Sequence, residues 1–304
     1  MIFDCHAHVA SNKVLPDRFF DGWVDNIVAA MPGKATDFQI AAIQRMFREL
    51  NADHDCSKFV AEMDDAGIDK AILLIIDFGF VYQGEADPIE DIYAIHRDIH
   101  KKYPGRFEIF TGVDPRRGRE GVDTFEKSVR DWGFKGLKLY PPCGFSPSDE
   151  RLFDYYEVCS KYNLPVLTHV GPTTPNLSFK HTGPNEIDEA AMRFPKVNFI
   201  LGHAGTVRFE EAALIAEFRP NVFLDMSGFQ TELRRDGFAD IMRWHKKRGL
   251  IRKLLFGTDW PIHRFYGSQK KWVEAFDDLR DSDVINQQEY ESIMYKNTQG
   301  LFDE

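Results

Sequence analysis

Histidine and aspartate side chains that can bind a metal ion stand at the ends of several short apolar segments. His6 and His8 close the first such segment, and His169, His203 and Asp259 close later ones. In a β-strand, residues i and i+2 project to the same side, so His6 and His8 can share one cation. Three imidazoles and one carboxylate suit Zn²⁺ and leave a position open for water. His6, His8, His169 and Asp259 are therefore a candidate ligand set for one divalent metal ion.

Each of these residues also has an interpretation that needs no metal. A His-x-His pair alone is often a matter of packing or of surface chance, His169 can be a buried histidine bonded to the backbone, and Asp259 can cap a helix. However, a carboxylate that follows the apolar residues 254–256 is costly to bury unless a cation or strong donors meet it. The recurrence of such residues at segment ends favours the metal interpretation.

Side chains at separate strand ends meet only when the strands lie parallel and side by side. That is the geometry of a (β/α)8 barrel, whose active site lies at the C-terminal face. Helical spacing of apolar residues between the segments supports an α/β chain that forms one TIM-barrel domain over residues 1–304. Eight short apolar segments predict the strands at residues 2–8, 70–77, 107–113, 135–140, 165–170, 197–203, 222–227 and 254–259.

Residues 10–57 form an insertion that is too long for a simple connection between strand and helix. The insertion contains helical pieces, including one from Asp37 to Leu50, and we expect it to cap the C-terminal rim. Arg45 and Arg48 on this segment are candidate substrate contacts, although each is also typical of a solvated surface charge.

Composition restricts the class of protein. The chain has 304 residues and a net charge of −10, which argues against nucleic-acid and anionic-membrane partners. Its longest apolar run, 71–76, is too short to cross a bilayer, and we expect no signal peptide before the first His pair. Four cysteines without CxxC spacing predict free thiols in a reducing, cytoplasmic setting. The expected partner is a small-molecule substrate, and a homo-oligomer is compatible with the sequence.

The motifs together resemble the amidohydrolase superfamily, and within it the amidohydrolase-related group of metal-dependent TIM-barrel hydrolases and decarboxylases. The motifs that carry this resemblance are Asp4-x-His6-x-His8, Pro165-Val166-Leu167-Thr168-His169, Leu201-Gly202-His203-Ala204-Gly205 and Phe256-Gly257-Thr258-Asp259-Trp260-Pro261. The resemblance implies that His6, His8, His169 and Asp259 bind the metal. It also implies that His203 polarises the substrate or moves a proton.

Lys138 on the fourth predicted strand has two interpretations. The resemblance allows a carboxylated lysine that bridges a second metal ion, as in binuclear relatives. The alternative is an unmodified lysine that binds a substrate carboxylate or forms an ion pair. Asp225 on the seventh predicted strand is expected to orient the site. Further candidate substrate contacts, each also readable as a surface charge, are Arg208, His181, His263 and Arg264.

Metal-assisted hydrolysis is the expected reaction. Zn²⁺ lowers the pKa of bound water from about 15.7 to roughly 7, so that hydroxide attacks an ester, lactone or amide carbonyl. Asp259 accepts the proton and returns it to the leaving group, and His203 stabilises the oxyanion. The alternative is decarboxylation of an aromatic or unsaturated acid, but many decarboxylases of the group replace the first His of the pair by Glu. A binding protein without catalysis is disfavoured because the ligand set is complete.

Overall fold

A parallel β-barrel forms the centre of the molecule. The computed structural model describes residues 1–233 and 237–302. In these residues the seven pairings between consecutive strands are all parallel, and the strand order follows the chain order, which confirms the predicted (β/α)8 architecture. The strands are β1 Phe3–Ala7, β2 Lys70–Leu74, β3 Phe107–Val113, β4 Gly136–Leu139, β5 Val166–His169, β6 Phe199–Gly202, β7 Val222–Asp225 and β8 Leu254–Leu255.

The barrel closes between β1 and the chain that continues from β8. The Cys5 amide donates to the Phe256 carbonyl at 2.8 Å, and the His8 amide donates to the Trp260 carbonyl at 2.7 Å. Regular strand geometry ends earlier than the predicted 254–259 because β8 holds only two residues. The residues after β8 still run beside β1, so both chain segments reach the same rim.

Helices surround the barrel and follow the strands in alternation. The predicted helix Asp37–Leu50 is observed with the same bounds, and a capping box at Thr36 begins it. The helices are α1 Asp17–Ala29, α2 Asp37–Leu50, α3 Ser57–Ala66, α4 Ile89–Lys102, α5 Gly118–Trp132, α6 Phe153–Tyr162, α7 Asp188–Arg193, α8 Phe209–Phe218, α9 Gln230–Leu233, α10 Phe238–Lys247, α11 Gln269–Asp281, α12 Gln287–Glu291 and α13 Asn297–Gln299. A π-helical turn, Ser292–Lys296, joins α12 to α13.

Apolar side chains fill the barrel interior on the side where the strands begin. This inner cluster includes Phe3, Ile72, Phe110 and Leu255, all buried, and the C-terminal segment packs against it through Phe302. Burial of one such aromatic or aliphatic side chain contributes about 1.5–3 kcal/mol. This end is packed with apolar groups, whereas the polar residues Lys138, His169 and Asp225 stand at or near the C-terminal ends of their strands.

Helix α1 lies against loops that leave the C-terminal ends of strands. The Phe19 ring is 5.3 Å from the Phe78 ring, in the loop after β2. The Asn176 side chain, in the loop after β5, donates to the Arg18 carbonyl at 3.0 Å. These contacts place α1 beside the C-terminal rim.

In the described part of the chain, no helix is both long and apolar enough to cross a membrane. The four cysteines, Cys5, Cys56, Cys143 and Cys159, are free thiols and all are buried.

Candidate metal centre and active site

Three candidate ligand atoms lie close together at the C-terminal end of the barrel. His6 Nε2 is 3.3 Å from His8 Nε2, and each is 3.4 Å from Asp259 Oδ1. Ligand atoms around a tetrahedral ion with bonds of about 2.0–2.2 Å are separated by roughly 3.3–3.6 Å. The three atoms therefore have the spacing of three corners of a zinc-like coordination tetrahedron.

Hydrogen bonds on the far side of each ring determine which nitrogen faces this point. His6 Nδ1 is 2.7 Å from the Asp225 carboxylate, and His8 Nδ1 is 2.8 Å from the Leu74 carbonyl. Both partners only accept hydrogen bonds, so each Nδ1 carries the hydrogen and each Nε2 presents a lone pair. Two imidazole lone pairs and a carboxylate oxygen facing one another repel unless a cation lies between them. The donor set thus fits a divalent metal ion, with the Nδ1 partners orienting the ligands.

The protonation states agree with this arrangement. Burial, together with the nearby Lys138 ammonium, lowers the pKa of His6 to about 4, so this imidazole is neutral near pH 7. Burial alone raises the pKa of the Asp259 carboxyl, but His6, His8 and His203 outweigh it and hold that pKa well below its usual range. A neutral imidazole and an ionised carboxylate are the forms that bind metal ions.

His203 and His169 extend the cluster from β6 and β5. Candidate ligand atoms of His203, His6 and Asp259 lie within 4.8 Å of one another. His203 is nevertheless engaged at both ring nitrogens, since Nδ1 is 2.9 Å from Ser227 Oγ and Nε2 is 3.1 Å from His169 Nδ1. His169 Nε2 is buried and has no hydrogen-bond partner. A lone pair there is available to a metal ion, whereas His203 has no free N–H for the oxyanion role that the sequence suggested.

The backbone is strained where it presents two of these residues. His203 and Ala204 have φ of 62° and 42°, and Asp259 has φ of 51°. Residues other than glycine avoid this left-handed region at a cost of about 1 kcal/mol or more each. Strain of this kind persists at sites where the side-chain direction matters, and here it turns both side chains inward from their strand ends.

Lys138 on β4 lines the same cavity. Its side chain is buried, and Nζ has no hydrogen-bond partner. Burial lowers the pKa of Lys138 to about 8, against the attraction of Asp259 and Asp225. A buried amine without a partner is costly, which indicates that a ligand or a modification completes its surroundings.

The cavity above the ligand cluster has a volume of about 200 Å³. Its walls are largely apolar, and one of them comes from α1 and the residues before it. Apolar and aromatic side chains in the walls are Leu15, Phe19, Trp23, Ile76, Tyr140 and Ile262. The Trp23 indole N–H is buried and has no partner. The cavity is small for a ligand site, so it suits a molecule of about one ring.

The remaining predicted contacts are divided between the cavity and the outer surface. His263 lines the cavity, with Nε2 at 3.3 Å from Asp259 Oδ2. The other three face carboxylates elsewhere: Arg208 pairs with Glu211, His181 with Glu186 and Arg264 with Glu62, and none of the three lines the cavity. Arg45 and Arg48 are exposed and also lie outside it. The structure therefore does not support substrate contacts from the five predicted residues outside the cavity, which are Arg45, Arg48, His181, Arg208 and Arg264.

The sequence predicted no role for two residues beneath the cluster, Asp4 and Ser227. Asp4 accepts hydrogen bonds from the His6 amide at 3.0 Å and the Thr258 amide at 2.9 Å, which joins β1 to the chain after β8. Burial raises the pKa of Asp4 to about 7. Ser227 Oγ contacts both Asp225 and His203 Nδ1. In the sequence, its position two residues after Asp225, where side chains point to the same side of a strand, was the one feature that could have indicated this role.

Solved structures with the same fold include two decarboxylases and a hydratase. A 5-carboxyvanillate decarboxylase from Novosphingobium aromaticivorans, complexed with manganese and 4-hydroxy-3-methoxy-5-nitrobenzoic acid, is 15% identical, with a TM-score of 0.68 over 100% of this chain and 96% of that chain. A 2,6-dihydroxybenzoate decarboxylase from Rhizobium is 17% identical, with a TM-score of 0.64 over 99% and 98%. A 4-oxalomesaconate hydratase from Rhodopseudomonas palustris is 16% identical, with a TM-score of 0.59 over 99% and 95%. At these identities the likeness shows the fold alone.

Sequence comparison assigns the family. No curated protein matches the chain significantly. The model of the amidohydrolase family matches residues 3–303, which is nearly the whole chain and includes every candidate ligand. The chain therefore belongs to the amidohydrolase family, whose fold and metal-binding character its structure shares.

Proposed function

We propose that the protein is a metal-dependent decarboxylase of a small aromatic or unsaturated carboxylic acid. The observation that carries this proposal is an apolar cavity, directly above the ligand cluster, that contains a buried, unpaired Lys138 Nζ. The fold is shared with decarboxylases of aromatic acids, which supports the same reaction class. This choice reverses the preference for hydrolysis that the sequence suggested.

The shape and polarity of the cavity favour a planar acid. Phe19, Trp23 and Tyr140 can pack against a ring or a conjugated chain. Among the described residues that line the cavity, Lys138 is the only lysine or arginine, so one carboxylate can be paired there. The unpartnered Trp23 N–H offers a hydrogen bond to a further oxygen of the substrate. The substrate class is therefore a one-ring or similar unsaturated acid with a second oxygen substituent.

His6, His8, His169 and Asp259 would hold one divalent metal ion. Nitrogen-rich ligands of this kind favour Zn²⁺, and Mn²⁺ is the alternative because a decarboxylase of the same fold was solved with manganese. When bound, the metal supplies a Lewis acid that holds the oxygens of the substrate and withdraws electron density from it. Metal analysis of the purified protein identifies the ion.

The side chains account for the remaining steps. Lys138 pairs with the carboxylate, and the apolar walls exclude water from it. The bond between the carboxylate carbon and the adjacent carbon breaks, CO₂ leaves, and the electron pair stays on that adjacent carbon. A proton then replaces CO₂ at the same carbon. The proton comes from the solvent, and Asp259 Oδ2 and His263 Nε2, 3.3 Å apart, are placed to relay it to this carbon.

Residues 10–57 would act as the cap of this site. Leu15, Phe19 and Trp23 from this segment line the cavity, and Phe20 packs on Phe47 of α2 with ring centroids 5.6 Å apart. Helix α2 would therefore hold α1 in place over the opening, which limits the access of bulk water.

Product analysis in D₂O tests the reaction. The protein, loaded in turn with Zn²⁺ and Mn²⁺, is incubated with aromatic and unsaturated acids, and CO₂ is measured. Decarboxylation places one deuterium on the carbon that lost CO₂, which NMR detects in the product. Release of acid from lactones or N-acyl amino acids, without CO₂ from any acid, would reject the proposal.

Hydrolysis is the second candidate, and one observation favours it. Both residues of the His-x-His pair on β1 are present, and their Nε2 atoms face the same point. A metal ion held there would supply activation of a water molecule for attack on a carbonyl, and Asp259 would be placed to accept the proton of that water. The same product screen, with lactones and amides in parallel, separates the two reactions.

A further inference from the structure

Asp225, at the end of β7, lies at the centre of a hydrogen-bond network beneath the metal ligands. It is fully buried, and it accepts from His6 Nδ1 at 2.7 Å, Ser227 Oγ at 2.6 Å and the His203 amide at 3.0 Å. The Ser227 amide at 2.8 Å and Cys5 Sγ at 3.4 Å complete the set. Donors from three different parts of the barrel, β1 and the residues that follow β6 and β7, therefore meet at one carboxylate.

The fold makes room for this carboxylate. A Cβ atom on Gly257 would lie 2.2 Å from Asp225 Oδ1, so the chain after β8 can pass at this distance only with glycine there. A buried carboxylate with this many donors is stable as an anion.

The network continues from Asp225 to two more histidines. Ser227 Oγ donates to Asp225, so it accepts from His203 Nδ1 at 2.9 Å. His203 Nε2 therefore presents a lone pair to His169 Nδ1, 3.1 Å away. His169 Nε2, buried and without a partner, is left with its lone pair.

We propose that Asp225 is the positioning residue that sets the tautomers of the histidine cluster. It acts on His6 directly, and on His203 and then His169 through Ser227, so that His6 Nε2 and His169 Nε2 both present lone pairs to the metal. The inference rests on the metal site of the proposed function and is independent of the reaction. It also makes His203 a support for His169, in place of a donor to an oxyanion.

The wild-type protein provides a first test without any substitution. Long-range ¹H–¹⁵N NMR of the metal-free protein at pH 7.5 distinguishes the two neutral tautomers of each imidazole, and His6→Gln and His169→Gln variants assign the signals. We expect hydrogen on Nδ1 in His6, His203 and His169. Hydrogen on Nε2 in His6 would overturn the proposal.

Variants provide the second test, with metal affinity as the readout. Asp225→Asn should weaken binding of Zn²⁺ or Co²⁺ by about 10- to 100-fold, as is usual when a partner of a metal-bound histidine is lost. Ser227→Ala should keep the hydrogen of His6 on Nδ1, because Asp225 remains, although Ser227 Oγ lies 3.3 Å from that atom. It should shift the signals of His203 and His169. Asp53→Asn is the matched control, because Asp53 is equally buried but accepts from the Lys58 and Phe59 amides at 3.0 and 2.8 Å, outside the cavity.

The outcomes separate this inference from the proposed function. If the Asp225→Asn variant binds metal as tightly as the wild-type protein and its His6 tautomer is unchanged, the proposed role of Asp225 is overturned. If Asp225→Asn does not fold, Ser227→Ala decides, and unchanged His203 and His169 signals would reject the relay. A wild-type protein that shows the expected tautomers and binds metal, yet releases no CO₂ from any acid, would reject the reaction and leave the role of Asp225 intact.

Discussion

Asp259 presents its two carboxylate oxygens to different partners. Oδ1 faces His6 and His8 at 3.4 Å each, and Oδ2 faces His263 at 3.3 Å. Asp259 has a left-handed backbone, with φ of 51°, in the segment that runs beside β1 after the two-residue strand β8. One residue is therefore placed to bind metal and to exchange a proton.

Substitution of Asp259 by Asn should separate these two roles. An amide oxygen can still bind a metal ion, but the amide cannot accept and return a proton near neutral pH. We expect the variant to fold and to keep part of its metal, while turnover falls by about 10²–10⁴-fold, the usual contribution of a positioned acid or base. Metal content and initial rate, measured on the same sample, check this. Substantial turnover at saturating metal would remove the proton role.

Substitution of Lys138 should weaken substrate binding but raise the stability of the protein. Lys138→Met removes a buried amine without a partner, so we expect the thermal midpoint to rise while KM for the acid substrate increases about 10-fold or more, as for a lost charged hydrogen bond. Lys253→Met is the matched control, since Lys253 is also buried but bonds to the Pro220 carbonyl and lies outside the cavity. An unchanged KM in Lys138→Met would contradict the role in carboxylate binding.

At the scale of elements, α1 lies beside the barrel rim and forms part of the cavity wall. Its buried face includes Phe19 and Phe20, and its Trp23 lines the cavity with an unpartnered N–H. Since α1 belongs to no βα unit, its position depends on contacts with the loops after β2 and β5. The specificity of the site can therefore change through this helix without a change in the barrel.

Trp23→Phe tests the contribution of α1 to substrate binding. The substitution keeps an aromatic ring and removes the N–H, so KM should rise roughly fivefold, as expected for about 1 kcal/mol of one neutral hydrogen bond, with kcat little changed. Phe38→Ala on α2 is the control because Phe38 is 81% exposed and does not line the cavity. Equal effects of the two substitutions on KM would show that α1 has no specific contact with the substrate.

Helices α4 and α10 each contain a buried histidine that donates to the carbonyl four residues before it. His96 Nδ1 is 2.8 Å from the Ile92 carbonyl, and His245 Nδ1 is 2.9 Å from the Ile241 carbonyl. Burial lowers the pKa of both from 6.5 to about 4. The unfolded chain therefore binds protons between pH 6.5 and 4 that the folded protein does not bind.

This difference in proton binding predicts a loss of stability in acid. The stabilising effect is fully present above pH 6.5 and disappears as the pH falls towards 4, at about 3 kcal/mol for each histidine. His96→Leu should reduce the slope of the unfolding free energy against pH in this range by about one proton. His54→Gln, at an exposed position, is the control. Equal slopes in wild type and His96→Leu would contradict the prediction.

The elements could be predicted from the sequence because their signals are local. Eight apolar segments predicted the eight strands, and capping residues at Thr36 to Gln39 mark the start of α2. The contacts of Asp225 with His6, 219 residues away, could not be predicted, since they depend on how β7 approaches β1 across the closed barrel. For the same reason the sequence could not separate Lys138, which lines the cavity, from Arg208, which does not.

At the scale of the molecule, stability and chemistry occupy opposite ends of the barrel. The inner apolar cluster around Phe3, Phe110 and Leu255 closes one end, together with Phe302. The other end holds imidazole lone pairs that face an anionic carboxylate, and a buried amine that has no hydrogen-bond partner. The metal-free protein is therefore expected to carry its least favourable interactions at the site.

Metal loading should relieve this repulsion and stabilise the whole chain. An ion that binds only the folded state adds about 2.7 kcal/mol when its concentration is one hundred times Kd. The thermal midpoint of a chain of 304 residues should therefore rise by roughly 4 °C on loading and fall again with a chelator. Calorimetry with stepwise addition of Zn²⁺ or Mn²⁺ measures this, and the rise should saturate at one ion per chain. Asp225→Asn should need more metal for the same rise, whereas Asp53→Asn should differ only in its metal-free midpoint. Saturation at two ions per chain, together with the mass of one CO₂ added to Lys138, would contradict the single-metal site. A carboxylated Lys138 would then bridge a second ion, and it would occupy the position that we assign to the substrate carboxylate.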